Sequence, residues 1–93
     1  MIKPEDLKSA GYEYQRGNGL HVWFRQDKQE VVLFLEADRG GEPKGPVIAQ
    51  YEMMIGSQPN RQVFSTVVEL HKDSTLPETE LKISKFRKAV KGL

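Results

Sequence analysis

Residues 11–26, GYEYQRGNGLHVWFRQ, hold two of the three tyrosines, the single tryptophan, one of the two histidines and two arginines. Three kinds of chemistry suit that set. Aromatic rings and guanidinium groups anchor protein partners. Rings on a sheet stack bases while arginines hold phosphates. An imidazole moves protons. Which of these applies depends on the elements that carry the side chains and on which way each one faces.

Pro4–Ala10 reads as one or two turns of helix, with Pro early, Glu5 and Asp6 at its positive end and Gly11 at its exit. Asn18-Gly19 is a hairpin signal, since both centres of a type I′ turn need positive φ. That turn pairs Gly17 with Leu20, and therefore Arg16 with His21, Gln15 with Val22, Tyr14 with Trp23, Glu13 with Phe24 and Tyr12 with Arg25. A second reversal at Asp27-Lys28 pairs Gln26 with Gln29, Trp23 with Val32 and His21 with Phe34. Val31–Leu35, VVLFL, is apolar on both faces, as an interior strand would be. ADRGGEPKGP (37–46) has the Gly and Pro content of a loop and is expected to be a flexible hairpin connection. Val47–Ile55 alternates, with Val47, Ala49, Tyr51, Met53 and Ile55 on one face. Gln62–His71 places Phe64, Thr66, Val68 and Leu70 on one face. The last segment, LPETELKISKFRKAVKGL, is expected to be a helix with Thr75 and Glu78 as a capping box and Gly92 as its stop. Its apolar stripe is Ile83, Phe86, Val90 and Leu93. TELKIS also alternates like a strand, which leaves open a start near Ser84.

Alternate residues of a strand share a face. One face of the first three strands carries Leu20, Val22, Phe24, Val31, Leu33 and Leu35, and the terminal helix is its natural cover. The other carries Tyr12, Tyr14, Arg16, His21, Trp23, Arg25, Glu30, Val32, Phe34 and Glu36. Left open, that second face is a docking surface with Trp23 and Tyr14 as anchors and Tyr12, Arg16, His21 and Arg25 around them. The plainer reading is that these rings pack across the hairpin and are shielded by a helix or loop.

The same face offers rings and arginines to single-stranded nucleic acid, against which stand Glu30, Glu36, Glu52 and Glu69 and the lack of an RNP-like motif. Lys85, Arg87, Lys88 and Lys91 form a phosphate-contacting set on the last helix; as cations near a helix C-terminus they also complement its dipole. Catalysis has little to stand on. His21 and His71 share a face only if His71 continues the outward set of the fifth strand. No His/Asp/Glu grouping has metal-ligand spacing, and RGGEPKG lacks the phosphate-loop pattern. No metal and no cofactor is expected.

The short helix, Gly11-Tyr12, a strand ending in Arg16, a Gly-containing turn and His21 on the next strand resemble the opening of HicA-type toxins. Those are small ribonucleases with a fold like that of double-stranded-RNA-binding domains. The resemblance covers about a third of the chain and implies His21 as the working histidine. The family's Gly-Ser/Thr-His element stands here as Gly19-Leu20-His21, and extra strands precede the last helix.

Length, composition and charge set the frame. Ninety-three residues suit one domain with a modest core. Absence of cysteine excludes disulfides, thiol catalysis and Cys-containing zinc sites, and fits a reducing compartment. No run is long enough to span a membrane, and the first residues lack the apolar stretch of a signal peptide, so a cytoplasmic protein is expected. Net charge is +1. Up to Asp73 there are nine Lys/Arg and eleven Asp/Glu, and from Ser74 onward five and two, so the positive excess is confined to the C-terminus.

The expected fold is α+β: a short N-terminal helix, a five-stranded antiparallel meander and a C-terminal helix packed on one sheet face, over residues 1–93. The expected function is a small interaction or regulatory module, of the kind found in bacteria and phages, that binds a protein partner or a second copy of itself. Single-stranded nucleic-acid binding and a ribonuclease using His21 are the alternatives.

Overall fold

The computed structural model describes residues 1–17, 19–35, 37–38, 40–54 and 61–93, with the backbone alone for Leu20, Met54 and Arg61. The elements are α1 (Pro4–Ser9), β1 (Glu13–Gly17), β2 (Leu20–Gln26), β3 (Glu30–Phe34), β4 (Val47–Met54), β5 (Arg61–Val68) and α2 (Leu76–Lys91). The strands form one antiparallel sheet in the order β1-β2-β3-β4-β5, and α2 packs on it. This is the α+β meander expected from the sequence. No helix among the described residues is long and apolar enough to cross a membrane.

The first hairpin has the register that its turn dictates: Gly17 opposite Leu20, Arg16 opposite His21, Tyr14 opposite Trp23, Glu13 opposite Phe24. Gly19 sits at φ 77°, a left-handed conformation that costs glycine nothing; Asn18 lies outside the described residues. The second reversal falls one residue later than expected. Gln26 pairs with Val31 and Trp23 with Phe34, rather than with Gln29 and Val32. The cause is Asp27. Its Oδ1 accepts the amides of Gln29 (3.0 Å) and Glu30 (2.8 Å), and its own N–H donates to the Glu30 carbonyl (2.9 Å), so the turn centres on Lys28-Gln29. Each residue's partner moves by two, which leaves every side chain on its original face.

β3 ends at Phe34 rather than Leu35, and β5 ends at Val68, so Leu70 and His71 belong to the link into α2. Ile55 of the expected fourth strand lies outside the described residues. TELKIS is helical. Thr75 Oγ1 accepts the Glu78 amide (3.3 Å), which starts α2 at Leu76, and Gly92 ends it.

The covered face is the reverse of the one expected. Trp23 (6% exposed), Tyr12 (2%), Val32 and Phe34 are buried with Val47, Ala49 and Val68 against Ile2 and Leu7 from the N-terminal segment and Leu76 and Ile83 of α2. Phe24, Val31, Leu33 and Leu35 are only half-buried. The aliphatic face of the first three strands is therefore not the one under α2. The α2 stripe also differs at its end: Leu76, Thr79, Ile83 and Val90 are buried, while Leu93 is 76% exposed.

The physical reason lies in the polar tips. Trp, Tyr and Arg bury an apolar body well when the tip finds a partner, and here each tip does. The 37–46 loop folds over Trp23, and the Gly41 carbonyl accepts its indole N–H at 2.6 Å. Gly41 has φ 85°, and a Cβ there would lie 3.5 Å from Pro4 and 3.6 Å from the Trp23 ring, so the loop also touches α1. This connection is a built cover. Asp38 Oδ1 accepts the amides of Gly40 and Glu42, Ala37 N–H donates to the His21 carbonyl, and Ala37 bridges to Pro43.

Candidate interaction surface

Around Tyr12 the side chains tie both helices to the sheet. The Tyr12 ring meets Phe34 edge-on at 5.1 Å between centroids, and its hydroxyl donates to Glu80 of α2 at 3.3 Å. The Arg25 guanidinium lies 4.6 Å over the same ring, 3.5 Å from the Glu80 carboxylate and 3.4 Å from the Ala10 carbonyl at the end of α1. Burial pushes the Tyr12 phenol well above its usual pKa, and Arg25 opposes that only in part. Further along the sheet the Glu30 carboxylate, buried on β3, accepts both forks of the Arg87 guanidinium from α2. These hydrogen bonds hold the Arg87 pKa above its ordinary value. Every fully buried side-chain nitrogen or oxygen among the described residues has a partner.

The expected docking set is thus divided. Tyr12 and Trp23 are interior, and Arg25 is half-buried and engaged by Glu80. Tyr14, Arg16 and His21 stay together toward the turn of the first hairpin. The Tyr14 hydroxyl and His21 Nδ1 share a hydrogen bond of 2.8 Å, and the Tyr14 ring leans on Trp23 at 5.0 Å. Of the binding rings only Tyr14, 36% exposed, remains available for stacking. The phosphate-contacting set is divided as well. Arg87 is committed to Glu30 and Lys91 lies 5.8 Å over the Tyr51 ring, while Lys85 and Lys88 are exposed.

The histidines do not share a sheet face. His21 is on the covered side with Trp23, and His71 lies beyond β5 in a cavity of about 160 Å³ lined by Met1, Ile2, Pro43, Lys44, Leu70 and Ser74, among others. His71 is held there by its amide, which donates to Ser74 Oγ at 2.8 Å. Among the described residues no group of three or more His, Asp or Glu is placed to hold a metal ion.

Among the described residues, neither helix packs on the other side of the sheet. Phe24, Leu33, Ile48 and Val67 stand opposite one another on four successive strands. At ~4.8 Å between strands they make an uncharged row roughly 14 Å long. Val31 and Val63 extend the patch to one side of this row and the buried Val22 to the other. Val63 and Val67 are 59% and 56% exposed. Gln15, Gln26, Gln50 and Ser65 surround the aliphatic centre, and Glu13 and Glu52 lie toward its rim. Both helices pack on the opposite face, through Leu7, Leu76 and Ile83.

The sequence reading missed this patch because it treated rings with polar tips as outward. A signal was present. The inward set of β4, Val47-Ala49-Tyr51, pairs with Phe34, Val32 and Glu30, which places those three inside and leaves Leu33 and Val31 outside.

No protein-family model matches this chain, and neither the curated proteins nor the solved structures contain a match.

Proposed function

We propose that this protein is a non-enzymatic interaction module that binds a protein partner through the open aliphatic face of its sheet. The observation that carries the reading is the uncharged row Phe24–Leu33–Ile48–Val67 on a face that neither helix covers. Contiguous, partly exposed apolar surface on a small protein marks a contact site. An aliphatic centre with a polar rim is the usual anatomy of a protein interface. The partner it fits presents an uncharged, apolar surface. Side chains from two such faces interdigitate when sheets stack about 10 Å apart.

The aromatic residues then have a structural task. Tyr12, Trp23 and Arg25 fasten α1, α2 and the 37–46 loop to one side of the sheet, which leaves the other side free to act. A photoreactive side chain at Ile48 is expected to crosslink a partner in cells, and the same group at Lys85 on α2 is not. Leu33→Lys should keep the fold and lose the adduct. Crosslinking from Lys85 alone, or an adduct indifferent to Leu33→Lys, would remove the aliphatic face from the interaction.

A further inference from the structure

β5 ends the sheet, and among the described residues its outer edge is unpaired. Its eight residues pair with β4 without a bulge, from Arg61 opposite Met54 to Val68 opposite Val47. Among the described residues no backbone hydrogen bond leaves β5 on its other side. The two edges of the sheet differ. β1 has five residues, all exposed, with Glu13, Arg16 and Gly17 among them. It is short and charged, as protected edges are. β5, RQVFSTVV, contains no Pro, Gly or Lys, and its only charged residue is the first. A long, regular edge with so little charge is a template for another strand.

On the open face β5 is symmetric about Ser65, with Val63 and Val67 on either side. We propose that two copies of this chain join edge to edge through β5, antiparallel and centred on Ser65, into one ten-stranded sheet. That register sets Val63 opposite Val67 of the second copy, Phe64 opposite Thr66 and Gln62 opposite Val68. It also sets Arg61 opposite Glu69, the exposed residue just past the strand. A two-residue shift one way puts Val63 against Ser65, and the other way against Glu69, and either shift loses the charge pairing. Only even shifts keep the faces matched, so the Ser65-centred register is the one that joins valine to valine on the open face and opposite charges at both ends. Eight paired residues supply about eight interchain hydrogen bonds.

The inference builds on the proposed function by naming a second copy as the first partner. Pairing at β5 continues the open aliphatic face across the dyad, from Val67 of one copy to Val63 of the next, and doubles the platform. An edge-to-edge contact buries less surface than a standard interface, so the dimer is of the weak, concentration-dependent class.

The chain has no cysteine, so Ser65→Cys introduces a single thiol at the proposed dyad. Under mild oxidation it should give a disulfide-linked dimer, while Gln15→Cys on the β1 edge should not. In sedimentation, the unmodified chain should pass from monomer to dimer as concentration rises, and Val67→Lys should shift that transition at least tenfold upward. Arg61→Glu should weaken dimerisation roughly fivefold through its two cross-strand pairs, and Arg61→Glu with Glu69→Arg should restore it. Ile48→Lys, one strand in from the edge, should leave the dimer intact even where it abolishes partner binding. A chain that stays monomeric at millimolar concentration, with no Ser65→Cys linkage, overturns the proposal. A dimer lost in Ile48→Lys and never linked through Ser65→Cys also overturns it, by showing that copies meet face to face; the open-face reading then stands while the edge reading falls.

Discussion

Glu30 and Arg87 show how one pair of side chains holds two elements together. The carboxylate is 6% exposed and the guanidinium 31%, so the two ends of the bridge are unequal. Removing Arg87 leaves a charge stranded inside the protein, whereas removing Glu30 leaves a guanidinium that can turn to water. Arg87→Met is therefore expected to cost about 3 kcal/mol and Glu30→Gln about 1 kcal/mol, and Glu30→Leu with Arg87→Met should recover most of the larger loss. Urea unfolding of the three variants measures this, and equal costs for the two single substitutions would contradict the asymmetry. Trp23 makes a related point. Its N–H finds the Gly41 carbonyl, so a residue read as an anchor for a partner is an anchor for the protein's own loop.

At the scale of elements, local chemistry explains the turns and helix ends well. The Asp27 turn carries a pH dependence. Backbone N–H donors from Gln29 and Glu30 hold the Asp27 carboxyl below its usual pKa. A carboxyl depressed in the folded state stabilises the fold above its unfolded pKa of ~3.9, and that contribution disappears as pH falls through the folded value. Asp27→Asn should therefore lower stability at neutral pH and flatten the loss of stability below pH ~4. Thermal unfolding across pH 2–7 reads both effects, and an unchanged acid limb would dissociate Asp27 from it. The same element shows what the sequence reveals and what it conceals. The break between two strand-like runs at Asp27-Lys28 signalled a reversal, but its centre was set by which amides the Asp27 carboxylate captures. The Asn18-Gly19 turn left no such freedom, and its register was legible residue by residue. The start of α2 was legible from Thr75 and Glu78 for the same reason: the cap contacts lie within three residues of each other.

At the scale of the molecule, both helices pack on the same side of the sheet, and neighbouring residues on one strand test which side that is. Val32 is fully buried and Leu33 half-buried. Val32→Lys should unfold the protein or cost at least ~4 kcal/mol. Leu33→Lys should change stability by less than ~1 kcal/mol, as for a substitution at an open position. Circular dichroism melts of the two variants suffice, and the reverse order would invert the faces described here. The candidate surface was not legible because hydrophobicity alone favours burying Phe24, Val31 and Leu33 over a face that holds Arg25 and Glu30. The decision rests on partners far away in sequence: Glu80 lies 68 residues from Tyr12, Arg87 lies 57 from Glu30, and Gly41 lies 18 from Trp23. Strand alternation and turn chemistry, which act between near neighbours, determined the order of the elements and which side chains share a face. Only the tertiary structure decided which face is interior, because that choice depends on whether two helices and a loop can satisfy every polar tip they enclose.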